Sequence, residues 1–244
     1  MPARNQSIIY LMAINAVIFI LSEFANVTEL QSLALYFPLN DQFQIWQPFT
    51  HMFMHGSIAH ILFNMFALWS FGTPLEQTWQ TPKFLLFYFA TGIGAAAIYT
   101  LANYYQFNMI INEIMALGYG SSHIDAILSQ GMADQNLITA LGKDRLIELM
   151  AIYHTPAVGA SGAIYGVLVA FAMQYPNAKL SLIFLPVPIS TKYFVPLIIL
   201  GDLFFGVTKY SIGNIAHFAH VGGALTALII MLVVKNTQRN FKVR

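Results

Sequence analysis

Long apolar blocks separated by polar connections dominate this chain. Six of them, at about residues 7–25, 57–77, 84–105, 161–175, 193–208 and 215–235, come near the ~20 residues an α-helix needs to cross the hydrocarbon core of a bilayer. The pattern predicts an all-α polytopic membrane protein, a six-transmembrane-helix bundle formed by residues 1–244 as a single membrane domain. The fourth block is the shortest. About 15 residues rising 1.5 Å each cover roughly 22 Å, less than the bilayer core, and Pro176 closes the block. One of its ends is therefore expected inside the membrane. Irregular backbone at that depth is tolerated only beside a cavity or within protein, so a recess is expected where the block begins, at Ser161.

The connections differ in kind. Residues 26–56 are rich in aromatics, including Phe37, Phe43, Trp46, Phe49 and Phe53, and carry no Lys or Arg. They suit an interfacial, partly embedded loop. Residues 106–156 are polar relative to the rest and are expected to form an extracytoplasmic insert between the third and fourth spans. Within it Asp134 is expected to cap a helix running to about Tyr153, with Leu137, Leu141, Ile147 and Met150 on or near one face.

Composition sharpens the class. Of 244 residues 57% are hydrophobic and 9% charged, against roughly 25% charged in soluble domains, and mean hydropathy is +0.63. A net charge of +1 argues against nucleic acid as a partner. The absence of cysteine removes disulfides, thiolate metal sites and cysteine nucleophiles. The first apolar run lacks a small-residue cleavage site and is read as a retained span. With the N-terminus inside, Arg4, Lys83, Lys179, Lys192, Lys235, Arg239, Lys242 and Arg244 fall on the cytoplasmic side and only Lys143, Arg145 and Lys209 opposite. By the positive-inside bias both termini are expected to be cytoplasmic, with Ser161 toward the other face. A bacterial inner (cell) membrane is the expected location.

The candidate chemistry begins at Gly159-Ala160-Ser161-Gly162. A serine in the first turn of a helix lies among free backbone N–H groups at the positive end of the helix dipole, where a nucleophile and an oxyanion are stabilised. A second block supplies Ala219-His220-Val221-Gly222-Gly223. Intramembrane ionisable groups are costly unless used or paired, and small residues around both blocks, including Gly162-x-x-x-Gly166, permit close helix approach. Serine and histidine are thus candidates for nucleophile and base. In the second block His60 and Asn64 share a helix face by their i, i+4 spacing. Both can donate to an oxyanion together with backbone N–H groups at Ser161 and Gly162. Tyr165, one turn beyond Ser161, is placed to stack on an imidazole. His51/His55 and His217/His220 have spacings seen in metal sites, but no adjacent histidine pair or nearby carboxylates accompany them. No metal or other cofactor is expected. His217 reads as structural, Asp202 as pairing with a neighbouring helix, and Glu76 as capping or hydrogen-bonding a loop.

These motifs carry a resemblance. The chain resembles the rhomboid intramembrane serine proteases across all six blocks, through Gly159-x-Ser161-Gly162, Ala219-His220-x-x-Gly223, and His60-x-x-x-Asn64 with His51 and His55 upstream. Asn64-Met65-Phe66-Ala67-Leu68-Trp69 and Phe71-Gly72-x-Pro74-Leu75-Glu76 are also similar to that family's second span. Ala227 stands where the family often has glycine, and Gln77 and Gln80 replace basic residues often found after its glutamate. The resemblance implies Ser161 as nucleophile, His220 as base of a two-residue dyad with no orienting acid, and His60 and Asn64 at the oxyanion. It implies Tyr165 as support for His220. It also implies cleavage of transmembrane or juxtamembrane segments of membrane-protein substrates in the lipid bilayer. The alternative is a catalytically inactive, rhomboid-like client-binding protein. A small-solute transporter fits less well, because no paired repeat is visible.

Overall fold

A computed structural model describes residues 6–24, 27–182, 185–208 and 216–242. Ala25 and Ile215, at the ends of the first and last expected spans, lie outside the described residues, as do the basic residues Arg4, Lys209 and Arg244. The described chain is helical almost throughout. α1 spans Gln6–Glu23, α2 Ile58–Trp79 and α3 Thr81–Ala116. Three shorter helices follow: α4 Ser121–Gln130, α5 Gln135–Leu141 and α6 Lys143–His154. Then come α7 Ser161–Gln174, α8 Thr191–Val207 and α9 His217–Lys242. α1, α2, α3 and residues 217–236 of α9 are long and apolar enough to cross a membrane. α7 and α8 are shorter, at 14 and 17 residues.

Every expected block is therefore helical, with differences at its edges. α2 contains a π-helical turn at Leu68–Gly72, which rephases the faces before and after it. α3 does not stop at residue 105. It runs 36 residues to Ala116, because Gln106 and Asn108 interrupt the apolar run but no Gly or Pro interrupts the helix before Gly118. The expected helix from Asp134 to Tyr153 is broken at Gly142, whose φ is +89°. Asp134 does cap its first half, accepting from the Leu137 N–H at 2.8 Å. The buried face of α6 is Leu146, Leu149 and Ile152, while Ile147 is exposed. A two-stranded antiparallel hairpin, β1 Lys179–Leu182 and β2 Leu185–Ser190, occupies a connection in which no element was expected.

Two cores result. The larger gathers Ile8 and Leu11 of α1, Leu68 and Leu75 of α2, Phe84 and Tyr88 of α3, Val167 and Ala170 of α7, and Ala224 and Ala227 of α9. α7 is its centre, with nine residues buried from Gly162 to Phe171. The smaller core joins Phe37, the far end of α3 (Phe107, Ile110, Ile114) and the inner faces of α4, α5 and α6. Around the bundle Ile9, Tyr10 and Val17 of α1, Leu62, Phe63, Phe66 and Trp69 of α2 and Leu86 of α3 are more than half exposed. An apolar rim of that extent is what lipid covers.

Small residues set the spacing of α3, α7 and α9. A Cβ on Gly166 would run into Thr91, one on Gly162 into Ala95, one on Gly94 into Thr226 and one on Gly222 into Ile98. Each glycine removes a side chain where two backbones approach, the usual means of tight packing where lipid supplies no hydrophobic drive. Glu76, near the C-terminal end of α2, ties the N-terminal ends of α1 and α3 to it. Its Oε1 accepts from the Ser7 N–H at 3.2 Å, the Ser7 hydroxyl at 2.6 Å and the Thr81 hydroxyl at 2.6 Å.

Candidate active site

The site lies where α7 begins. The chain reaches it extended, with Ala157 and Leu35 exchanging N–H···O bonds of 2.8 and 2.9 Å. Gly159 then takes φ +125°, a conformation L side chains rarely adopt. Its N–H donates to the His51 carbonyl at 3.0 Å. Ala160 caps the helix through its backbone, accepting from the Ile164 N–H at 3.0 Å. Ser161 is thus the first helical residue, and the N–H groups of the first turn lack intrahelical acceptors.

Ser161 Oγ is 2.9 Å from His220 Nε2. His220 lies in the first turn of α9, brought in by the close α7–α9 contact in which Gly223 sits against the Gly162 carbonyl. The imidazole is stacked on the Tyr165 ring, with centroids 4.3 Å apart and planes 10° from parallel. The Ser161 hydroxyl, the His220 imidazole and the Tyr165 ring are therefore positioned by two helices.

His60 comes from the first turn of α2, where its N–H is capped by the Ser57 hydroxyl at 3.1 Å. The space a Cβ on Gly159 would fill is 2.8 Å from His60 Nε2 and 3.6 Å from Ser161 Oγ. Glycine at 159 is what leaves the gap between them open. Asn64 is buried one turn further along α2, and its Nδ2 finds no acceptor. His55 is buried in edge contact with His60, centroids 5.1 Å apart. His51 is buried as well, its Nδ1 3.0 Å from the Gln47 carbonyl. These two histidines precede α2, and burial holds both below the ordinary imidazole range, His51 to about 4 and His55 to about 3, the latter helped by nearby His60. Both are neutral near pH 7.

One neighbour of His220 was not expected there. Asp202 of α8 is buried, and its Oδ1 lies 3.1 Å from His220 Nδ1 and 2.6 Å from His217 Nδ1. The reading of Asp202 as a pairing residue for a neighbouring helix agrees with this placement. The reading of the histidine as having no acid beside it does not. The signal in the sequence was one acidic residue inside an apolar span together with two histidines one helical turn apart. Among the described residues, no group of three or more His, Cys, Asp or Glu side chains is arranged to hold a metal ion.

The fold and this site define a polytopic helical membrane protein with a serine–histidine pair at a helix N-terminus inside the bundle. A Rhomboid domain matches residues 42–237, and the chain belongs to the rhomboid family. It is 28% identical to the rhomboid protease GluP of Bacillus subtilis over 182 residues, 74% of this chain and 24% of that protein. It is 30% identical to the mitochondrial Rhomboid protein 1 of Saccharomyces cerevisiae over 136 residues, 56% of this chain and 27% of that one. With the rhomboid protease GlpG of Pectobacterium atrosepticum it shares 26% over 172 residues, 67% and 61% of the two chains. The chain thus spans less than two thirds of the length of each of these relatives. The relatives include bacterial and mitochondrial proteins, so the family together with the apolar helices defines an integral membrane protein without selecting one membrane.

Proposed function

We propose that this protein is an intramembrane serine endopeptidase that cleaves transmembrane or juxtamembrane segments of other membrane proteins. The observation that carries the reading is the 2.9 Å contact between Ser161 Oγ and His220 Nε2 at a helix N-terminus. Two of the relatives above are named as proteases. In this reading the Ser161 hydroxyl donates to Nε2, attacks the peptide carbonyl as the proton passes to the imidazole, and forms an acyl-enzyme that water hydrolyses. The oxyanion is received by first-turn N–H groups of Ser161 and Gly162 with His60 and Asn64. The unpaired Asn64 Nδ2 supports that assignment, because a buried donor without an acceptor costs free energy that a transition-state oxygen would recover. Tyr165 supports the imidazole, Gly159 keeps the oxyanion space open and Gly223 brings α9 to α7. The chemistry calls on no cofactor.

By the positive-inside bias, we place both termini in the cytoplasm, the site toward the opposite face, and residues 106–156 in an extracytoplasmic insert. Ser7, Glu76 and Thr81 then mark the cytoplasmic end of the bundle. Reporter fusions at the two termini and within 106–156 test that topology.

Labelling with a fluorophosphonate probe, run beside cleavage of a model transmembrane substrate, tests the function. Modification of the wild type, its loss in Ser161→Ala, and loss of cleavage in Ser161→Ala and His220→Ala are expected. The double variant is expected to lose little more than either single one, since such residues act as a unit. A folded wild type that neither labels nor cleaves would instead be a client-binding member of the family.

A further inference from the structure

We infer that Asp202 is the positioning residue of this site: its carboxylate accepts the Nδ1 proton of His220 and so holds the imidazole with its Nε2 lone pair facing Ser161. The inference rests on the serine-protease reading and adds a third member to the pair.

The geometry begins with the ring. Stacking on Tyr165 fixes the plane of the imidazole but not which of its two faces meets the tyrosine. A half-turn about the Cβ–Cγ bond would exchange Nδ1 with Cδ2 and keep the stack. Contacts at both nitrogens remove that freedom, Ser161 Oγ at 2.9 Å on one side and Asp202 Oδ1 at 3.1 Å on the other. A neutral imidazole carries one N–H. For Nε2 to accept the serine proton, that N–H must be on Nδ1, and a carboxylate, which only accepts, selects that tautomer.

Energetics point the same way. Asp202 stands in an apolar helix and is 8% exposed, where an unpaired carboxylate is expensive. Its partners converge from two other helices. His217 and His220 come from α9, and the Tyr165 hydroxyl of α7 interacts with the same carboxylate. His217 makes the shorter contact, at 2.6 Å, and anchors α8 on α9. One carboxylate oxygen has lone pairs for both imidazoles, so the anchor and the positioning role coexist.

The proton account balances. As Ser161 Oγ bonds the carbonyl carbon, its proton moves to His220 Nε2 and the carbonyl oxygen takes the negative charge. The imidazolium keeps its Nδ1 proton, hydrogen-bonded to an Asp202 that stays ionised. The Nε2 proton then passes to the leaving amine as the C–N bond breaks. Water attacks the acyl-serine by the same base, restoring Ser161 and releasing the acid.

The test uses the full chain in detergent or nanodiscs. In Asp202→Asn the amide can present a donor to Nδ1 and favour the wrong tautomer, so kcat is expected to fall by roughly 10²–10⁴ with KM essentially unchanged and the protein folded. Asp202→Glu is expected to recover part of that loss. His217→Gln is expected to lower Tm more than it lowers kcat. A folded Asp202→Asn with wild-type kcat, or one altered only in KM, would overturn the inference and leave an anchor alone. Nitrogen NMR of histidine-labelled wild-type protein supplies a readout that needs no variant at 202. Near neutral pH, His220 is expected to carry its proton on Nδ1, with that nitrogen upfield of the unprotonated Nε2 and the attached proton itself strongly deshielded. Loss of these signals in His220→Ala assigns them, and a proton on Nε2 instead would refute the inference. Absence of Ser161-dependent turnover in the wild type would fell the protease reading, while the NMR result would still decide the Asp202–His220 bond.

Discussion

The carbonyl oxygen of Gly162 occupies the space a side chain on Gly223 would need. This contact sets the distance between α7 and α9, and therefore the 2.9 Å between Ser161 and His220. A methyl at 223 meets backbone, which cannot swing aside as a flexible side chain does. Gly223→Ala is expected to separate the helices, lowering both Tm and turnover per folded molecule. Overpacking of this kind typically costs about 1–3 kcal/mol, occasionally more. Gly201→Ala is the control: nothing lies within 4 Å of its added methyl, and helix propensity favours alanine by roughly 0.5–1 kcal/mol. Thermal unfolding with parallel turnover measurements separates the two. A Gly223→Ala protein as stable and active as wild type would show that the helices hold their distance by other means.

Asn64 and His60 are expected to act on the transition state. Removing one oxyanion donor costs about 10²–10³ in rate, or roughly 2.7–4 kcal/mol. A donor used only there lowers kcat and kcat/KM together and spares KM. Asn64→Ala and His60→Ala are each expected to behave so while keeping probe-reactive Ser161. If Asn64 were only a packing amide, its removal would lower Tm and leave the turnover of folded molecules intact.

How much of this was legible in the sequence follows from which signals are local. Hydropathy is local, and the six blocks stand where the helices stand. The stacking of Tyr165 on His220 was legible too, because residues four apart share a helix face and the glycines around both blocks announced close approach. The length of α3 was not, since Gln106 and Asn108 change hydropathy without stopping a helix. The break at Gly142 was hidden within an otherwise continuous helical pattern. The hairpin of β1 and β2 depends on pairing between strands, such as Lys179 with Ser190, which no single-strand signal specifies. The contact of Asp202 with His220 crosses from one helix to the next. The polarity of Asp202 predicted that it would have a partner, and only the crossing of α8 and α9 determined which.

Glu76 fastens three helices at one point. Its Oε1 receives the Ser7 N–H, the Ser7 hydroxyl and the Thr81 hydroxyl, and Glu76 and Ser7 are buried. Truncation leaves those donors without their acceptor, at about 1–3 kcal/mol for each one left unsatisfied. Glu76→Ala is therefore expected to lower Tm clearly, while molecules that remain folded keep wild-type kcat, because the site lies at the other end of the bundle in the topology proposed above. A variant with unchanged Tm would show that water or lipid headgroups replace the carboxylate.

Acid is expected to destabilise the fold through His51 and His55. Both precede α2 and are buried, and desolvation lowers their folded pKa values to about 4 and about 3, against about 6.5 in an unfolded chain. Between those limits the unfolded chain binds more protons than the folded one, so stability rises with pH and levels off above about 6.5. On acidification the stability held at neutral pH is lost from about pH 6.5 downward, at a limiting slope of roughly 1.4 kcal/mol per pH unit for each histidine. His51 holds the site together mechanically, because its carbonyl accepts the Gly159 N–H and its ring contacts the Gln47 carbonyl. The acid transition is thus expected to remove Ser161 from register as the loop unfolds. Tm measured from about pH 7.5 to about pH 5 should fall in the wild type, and fall less steeply in His55→Phe, which has one fewer group to titrate. A wild-type Tm that is flat over that range, or an identical slope in His55→Phe, would show that these histidines exchange protons with water while the protein stays folded.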